Sequence, residues 1–351
     1  HTYLTLPPAV QRHPCSIMST KKEHDDFNAT GPQECGPTPS MSAVDVRRLA
    51  RRRLVEDNTS WLAPGCAQAN VLLIERDWAK DFLQFCKLNP KPFPVLAVLE
   101  PGDPRVPSYL AADCDIRTDL PRYRVWRDGR LAGVVHDVLD LWTEDMVAVL
   151  FGCSFSFEQA LLDHGVPLRH HEEQCVVPMF HTSLACRPAG RFRGHVATTM
   201  RPMTPAQARV AAEVTAKFPL MHGSPIHVGD PAAIGVADVG KPDFGSPVTV
   251  REDEVCAFWA CGVSLESVLA ESKPPLAITQ GLGGLLVLDV KSEELCAKAA
   301  REGGVRFPAW VDGDAEAEEP RPAAEVETVD CVPRAFPSVA TSVVVTAGGG
   351  T

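Results

Sequence analysis

Apolar and polar positions follow two different rhythms along this chain. Residues 44–54 carry the helical period on an arginine-rich amphipathic segment. Residues 70–74 read as a buried strand, 77–86 as an amphipathic helix and 94–99 as a second strand. Strand, helix and strand at this spacing predict a βαβ unit and a parallel sheet. Two short strands, 123–127 and 130–135, flank Asp128-Gly129, a hairpin signal. The patterns over 141–151 and 157–164 predict helices, and 176–180, 183–187 and 195–199 predict short strands.

Thr204 followed by Pro205 marks a helix start, and the apolar period runs from there to residue 218. Beyond it, strands are predicted at 234–237, 248–250, 255–259, 276–279 and 285–289, with helices at 264–271 and 293–301. The expected organisation is a main α/β domain from residues 42–112 and 200–305, with a smaller inserted α/β domain over 113–199. Residues 1–41 read as a disordered leader, with a faint transit-peptide composition, and 306–351 as a disordered acidic tail.

Composition narrows the function classes. The chain has 351 residues, 45% hydrophobic and 23% charged, as in ordinary globular enzymes. A net charge of −11 argues against nucleic acid or an anionic membrane as the main partner. No apolar run reaches membrane-spanning length. The 12 cysteines include no CxxC pair, so reduced, mostly buried thiols in a cytoplasmic or mitochondrial matrix setting are expected. A small-molecule amino-acid substrate is the expected partner, and a homo-oligomer is compatible with this size.

Candidate chemistry gathers in six places. His222-Gly223-Ser224-Pro225-Ile226-His227-Val228-Gly229-Asp230-Pro231 is too rich in glycine and proline for a regular element. His222, His227 and Asp230 there suit acid–base work, a divalent metal or simple turn capping. Arg117, Arg122 and Arg124 bring three guanidiniums close in sequence. They suit a carboxylate, or they line a solvated edge strand. Gly152-Cys153-Ser154-Phe155-Ser156-Phe157-Glu158 leads a small-residue turn into a helix, where Ser154, Ser156 and free amides could hold an anion or simply pack. Arg201 ends a strand and points into a cleft or an ordinary ion pair. Asp243 and Cys261 sit in or beside glycine turns, with turn chemistry and inert core as the plain alternatives.

In order and spacing these segments resemble the UPF0317 (DUF1445) family of hydro-lyases, which includes the D-glutamate cyclases. The resemblance rests on Leu62-Ala63-Pro64-Gly65, Gln68-Ala69-Asn70, Asn89-Pro90-Lys91-Pro92, Arg117 through Tyr123, Gly152 through Glu158 and Met200-Arg201-Pro202. It continues through His222-Gly223, Asp230-Pro231, Pro242-Asp243-Phe244-Gly245 and Phe258 through Val263, and covers roughly residues 42–290. It implies a three-layer α/β/α domain with a second, smaller two-layer α/β domain. The activity it implies is a lyase converting D-glutamate to 5-oxo-D-proline and water, with no required cofactor and metal dependence open. Hydro-lyase action on another small hydroxy or amino acid, or small-acid binding by a catalytically impaired member, are the other readings. The chain departs from the family pattern at Gln280 and Gly284, where imidazoles usually stand, and at Ser246, where an aspartate does. His222 and His227 are then the expected acid–base pair, oriented by Asp230 or Asp243. Arg122 or Arg124 is the expected carboxylate anchor, supported by Arg201.

Overall fold

The computed structural model describes residues 37–38, 40–55, 58–305 and 307–312. The expected leader (1–41) up to residue 36 and the expected tail (306–351) beyond residue 312 lie outside them. In chain order the helices are α1 (Ala43–Arg51), α2 (Arg76–Leu88), α3 (Glu158–Asp163), α4 (Arg169–Glu172), α5 (Pro205–Thr215), α6 (Ser264–Ser272), α7 (Ser292–Glu302) and α8 (Ala309–Asp312). The strands are β1 (Cys66–Glu75), β2 (Val95–Val98), β3 (Tyr123–Arg127), β4 (Arg130–Val135), β5 (Met146–Gly152) and β6 (Met179–Ala185). They continue with β7 (His195–Met203), β8 (His227–Val228), β9 (Val255–Cys261), β10 (Ala277–Gln280) and β11 (Leu286–Lys291).

Among the described residues, seven strands form one sheet in the order β2-β5-β1-β10-β3-β4, with β11 also on β1. Four form a second sheet in the order β6-β7-β9-β8. The chain is therefore α/β in class, as expected, with its strands in two sheets. Both sheets are antiparallel, not parallel. The cause is β5. Residues 141–151 read as a helix because this apolar run has neither period cleanly. All seven residues of β5 are buried, so the chain gains nothing from an amphipathic face, and Val147 and Val149 favour the strand. β5 lies between β1 and β2 and runs against both. The two strands of the expected βαβ unit thus point the same way without touching. β3, β4 and β5 fall within 113–199 yet pair into the β1 sheet, whereas β6 and β7 enter the second sheet.

β1 is buried on both faces. Val71 and Leu73 pack with Ala208, Ala211 and Leu161 on one side. Leu72 and Ile74 pack with Phe82, Phe85 and Leu269 on the other. At about 25 cal/mol per Å² of apolar surface removed from water, this two-sided burial makes β1 the mechanical centre of the molecule. The β3–β4 hairpin turns at Asp128 (φ 50°) and Gly129 (φ 76°), the two left-handed residues of a type I′ turn. Thr204 caps α5 in a capping box with Gln207. The strands expected at 234–237 and 248–250 are absent. Pro231–Ile234 forms a 3₁₀ turn instead, and 248–250 carries no regular element. Residues 307–312 do not trail away: Val311 is buried with the α2 core, and Arg76 lies over the Trp310 ring.

Candidate active site

The cleft opens where the hydrogen-bond ladder of β1 is interrupted. β10 pairs with the end of β1 at Leu72, Leu73 and Ile74, and β11 pairs with its beginning at Cys66, Gln68 and Ala69. Between them residues 281–285 leave the sheet. Thr59 holds that loop: its N–H donates to Gly283 O at 3.0 Å, and its hydroxyl accepts from Leu285 N–H at 3.0 Å. The gap would strand the Val71 N–H, an expensive event in a buried strand. Gln280 Oε1 accepts it at 2.8 Å, while Gln280 Nε2 donates to Asn70 Oδ1 at 2.8 Å. Asn70 Nδ2 in turn donates to Gly152 O at 2.9 Å. Side-chain amides thus bridge β10, β1 and β5 and form one wall.

The facing wall comes from strand ends. Cys153, Ser154 and Phe155 follow β5, Thr199 lies on β7, and Cys261, Gly262 and Val263 lead from β9 into α6. Gly262 is sterically required there, because a Cβ would stand 2.3 Å from the Asn70 side chain. Arg124 and Glu266 also line the cleft and are ion-paired with each other. Arg124 lies over the Trp126 ring at 4.9 Å, which limits its rotamers.

Behind Ser154 lies a buried charge network. Arg201 donates through Nη1 to Thr199 Oγ1 at 3.0 Å and through Nη2 to Ser154 Oγ at 3.2 Å and to Glu158. Its guanidinium lies 5.4 Å from both the Phe157 and Trp259 rings. His170 Nε2 and His171 Nε2 donate to the two Glu158 oxygens, each at 3.0 Å. Burial works against an ionised Glu158, but hydrogen-bonded His170 and the Arg201 guanidinium outweigh it and hold the carboxyl well below its usual range. Burial pushes His170 itself down. Glu158, His170 and His171 have spacing that could hold a metal ion. The donor set does not fit one well: a dication would share Glu158 with a fixed guanidinium, and the carboxylate is already satisfied by three donors.

The structure gathers some expected residues and separates others. Arg124, Ser154 and Cys261 line the cleft, and Arg201 touches its floor from behind. Burial pushes the Cys261 thiol up to about 11, and burial likewise raises Cys153, so neither is a thiolate near neutral pH. Arg122 joins the cleft loop through its carbonyl, which accepts from Gly281 N–H at 2.8 Å. Arg117 pairs instead with Asp115 at 2.7 Å in its own turn. Ser156 exchanges hydrogen bonds with the Gln68 backbone and serves packing.

The ten-residue loop does not supply the imidazoles expected of it. His222, in the left-handed region at φ 74°, is 1% exposed and donates through Nδ1 to Lys91 O at 2.7 Å. Burial pushes it down to about 4, so it is neutral, and it does not line the cleft. His227 pairs in register with Phe258, its ring against that side chain, and donates to Asp230 O at 2.7 Å. Phe258 and Met200 form the opposite face of the second sheet from Thr199 and Cys261. Asp230 caps the 3₁₀ turn by accepting from Ala232 N–H at 3.0 Å. Asp243 accepts from His181 N–H at 2.7 Å. Asp230 follows the turn reading, whereas Asp243 ties its loop to β6. Sequence reasoning missed Glu266, Thr199 and the Glu158–His170–His171 trio; only the Glu158 motif and the adjacent histidines signalled the last.

Residues 147–289 match the model of the family described as D-glutamate cyclase. A protein of Bordetella petrii named "Putative hydro-lyase Bpet2233" is 52% identical over 73% of this chain and 97% of its own length. A Bacillus licheniformis protein named "Putative hydro-lyase BLi00500/BL02808" is 48% identical over 72% and 97%, and a "Putative hydro-lyase" of Rhodopseudomonas palustris is 48% identical over 74% and 93%. Among solved structures, a nitrogen repressor-like protein of Methanococcus jannaschii aligns at 11% identity with a TM-score of 0.31, covering 67% of this chain and 91% of that one. That likeness is too distant to bear on fold or function. Identity near one half across almost the whole of each relative establishes that the chain belongs to the D-glutamate cyclase-like family of hydro-lyases.

Proposed function

We propose that the protein is a hydro-lyase that cyclises D-glutamate to 5-oxo-D-proline and water. The observation that carries this reading is the Arg124–Glu266 pair facing the cleft. A guanidinium beside a carboxylate complements an α-amino acid head, with its carboxylate on Arg124 and its ammonium on Glu266. Family membership supplies the reaction class.

The chemistry balances without a co-reactant. The α-nitrogen forms a bond to the γ-carbon, a C–O bond breaks, the ammonium gives up two protons and the departing oxygen leaves as water. Glu266 takes the role first assigned to His222 and His227, accepting a proton from the ammonium. Ring closure joins two ends of one molecule, so holding the chain folded removes much of the entropic barrier. Asn70 and Gln280 offer amide contacts to the substrate but no proton transfer.

Gln280 favours a second reading. An amide stands where the family resemblance places an imidazole, so the cleft could bind glutamate without turning it over. A proton NMR time course of D- and L-glutamate with the purified protein tests both. Appearance of 5-oxoproline from the D isomer supports the cyclase. Line broadening with no product after prolonged incubation leaves only the binding reading.

A further inference from the structure

We infer that the hydroxyls of Ser154 and Thr199 form a two-donor subsite on the cleft floor for a carboxyl or carbonyl oxygen, with Arg201 setting their direction from behind. A guanidinium has donors and no acceptor. In both contacts with Arg201 the hydroxyl oxygen must therefore accept, at 3.2 Å for Ser154 and 3.0 Å for Thr199. Each hydroxyl then keeps its own hydrogen. Among the described residues neither donates it to any protein group, although both side chains are 1% exposed. A buried O–H without an acceptor is costly, and both residues line the cleft. Their hydrogens are left to serve whatever occupies it.

Arg201 does not line the cleft and is a positioning residue. Glu158 holds one of its Nη groups, while the adjoining Phe157 and Trp259 rings each lie 5.4 Å from its guanidinium. It cannot swing toward the cleft without taking its fixed positive charge away from the buried Glu158 carboxylate. The Arg201–Glu158 pair is neutral overall. The floor therefore offers oriented dipoles, not net positive charge. Such a floor accepts an uncharged carbonyl as readily as a carboxylate, and it can stabilise negative charge growing on an oxygen during attack. This deepens the cyclase reading and rests on it for orientation: with the amino-acid head at Arg124 and Glu266, the γ-carboxyl reaches Ser154 and Thr199.

The test is binding of D-glutamate, D-glutamine and D-norvaline, measured by ligand-observed NMR titration. D-norvaline has the same carbon chain and no terminal oxygen. Wild type should prefer the first two. Thr199→Val and Ser154→Ala should each weaken them roughly ten-fold, the size of one lost hydrogen bond, and leave D-norvaline unchanged. Thr199→Ser keeps the hydroxyl and should bind like wild type. Thermal melting checks that each variant is folded, and Ser154→Ala carries the test if Thr199→Val is not. Equal weakening of D-norvaline, no weakening of D-glutamate, or a wild type that fails to prefer the oxygen-bearing ligands, including one that binds none, overturns the subsite. The predicted binding pattern without 5-oxoproline formation would leave the subsite standing and remove the cyclase.

Discussion

Gln280 Nε2 donates to Asn70 Oδ1 at 2.8 Å where the ladder beside β1 is interrupted, and Gln280 also takes the Val71 N–H that no strand can reach. One side chain thereby closes the sheet and shapes the cleft. Gln280→Ala should cost about 1–3 kcal/mol, because it leaves a buried backbone donor unsatisfied. Urea unfolding measures this; a loss within error would mean that water or a shifted β10 replaces the amide.

Gly262 meets Asn70 at the same seam. Gly262→Ala places a methyl 2.3 Å from the Asn70 side chain, which must then swing into the cleft. Ligand binding should fall more than stability does. Adding Asn70→Ala should recover stability in the pair beyond the sum of the single changes, the sign of direct coupling. Strict additivity would show that the backbone, not Asn70, had moved.

Removing Glu158 tests the buried network. Glu158→Gln keeps the shape and leaves Arg201 uncompensated, at an expected cost of about 3–5 kcal/mol. A variant as stable as wild type in chemical denaturation would mean that Arg201 finds another anion.

Stability should fall on acidification before carboxylates titrate. The unfolded chain binds a proton at His222 below 6.5, and the folded protein binds it only near 4. Between these values the unfolded state holds more protons, so His222 contributes fully above pH 6.5 and progressively less down to about 4. The span is worth roughly 3 kcal/mol. His170 is lowered too and adds in the same direction, whereas the stability that the depressed Glu158 contributes is present in full above its ordinary value of 4.5 and is lost only as pH falls further. His222→Asn suits the left-handed backbone and keeps a donor for Lys91 O. It should flatten the pH 4–6.5 slope without abolishing it; an unchanged slope would remove His222 as the cause.

His227→Ala should leave turnover and ligand affinity unaltered, because its ring lies against Phe258 on the face away from the cleft. A large loss of activity in a folded variant would bring the imidazole back into the mechanism.

Local signals were read correctly where one chain segment decides its own fate. Asp128-Gly129 dictates its turn by left-handed backbone, Thr204 caps its own helix, and the apolar period places α2 and α6. β5 was lost because complete burial erases periodicity, and with it went the antiparallel order of the sheet. Among site residues, those following strand ends, Ser154 and Cys261, reached the cleft, while the loop histidines did not.

From its order of residues alone this protein declares its kinship, its main elements and the chemistry of several strand ends, since those depend on identity and short spacing. Which imidazole, carboxylate or hydroxyl meets which partner depends on sheet register and on which face of a strand is turned inward. Glu266 comes to Arg124 across 142 residues of chain, and Thr199 shares Arg201 with Ser154, which follows a strand of the other sheet. Contacts of that range are set by packing, and only the folded molecule contains them.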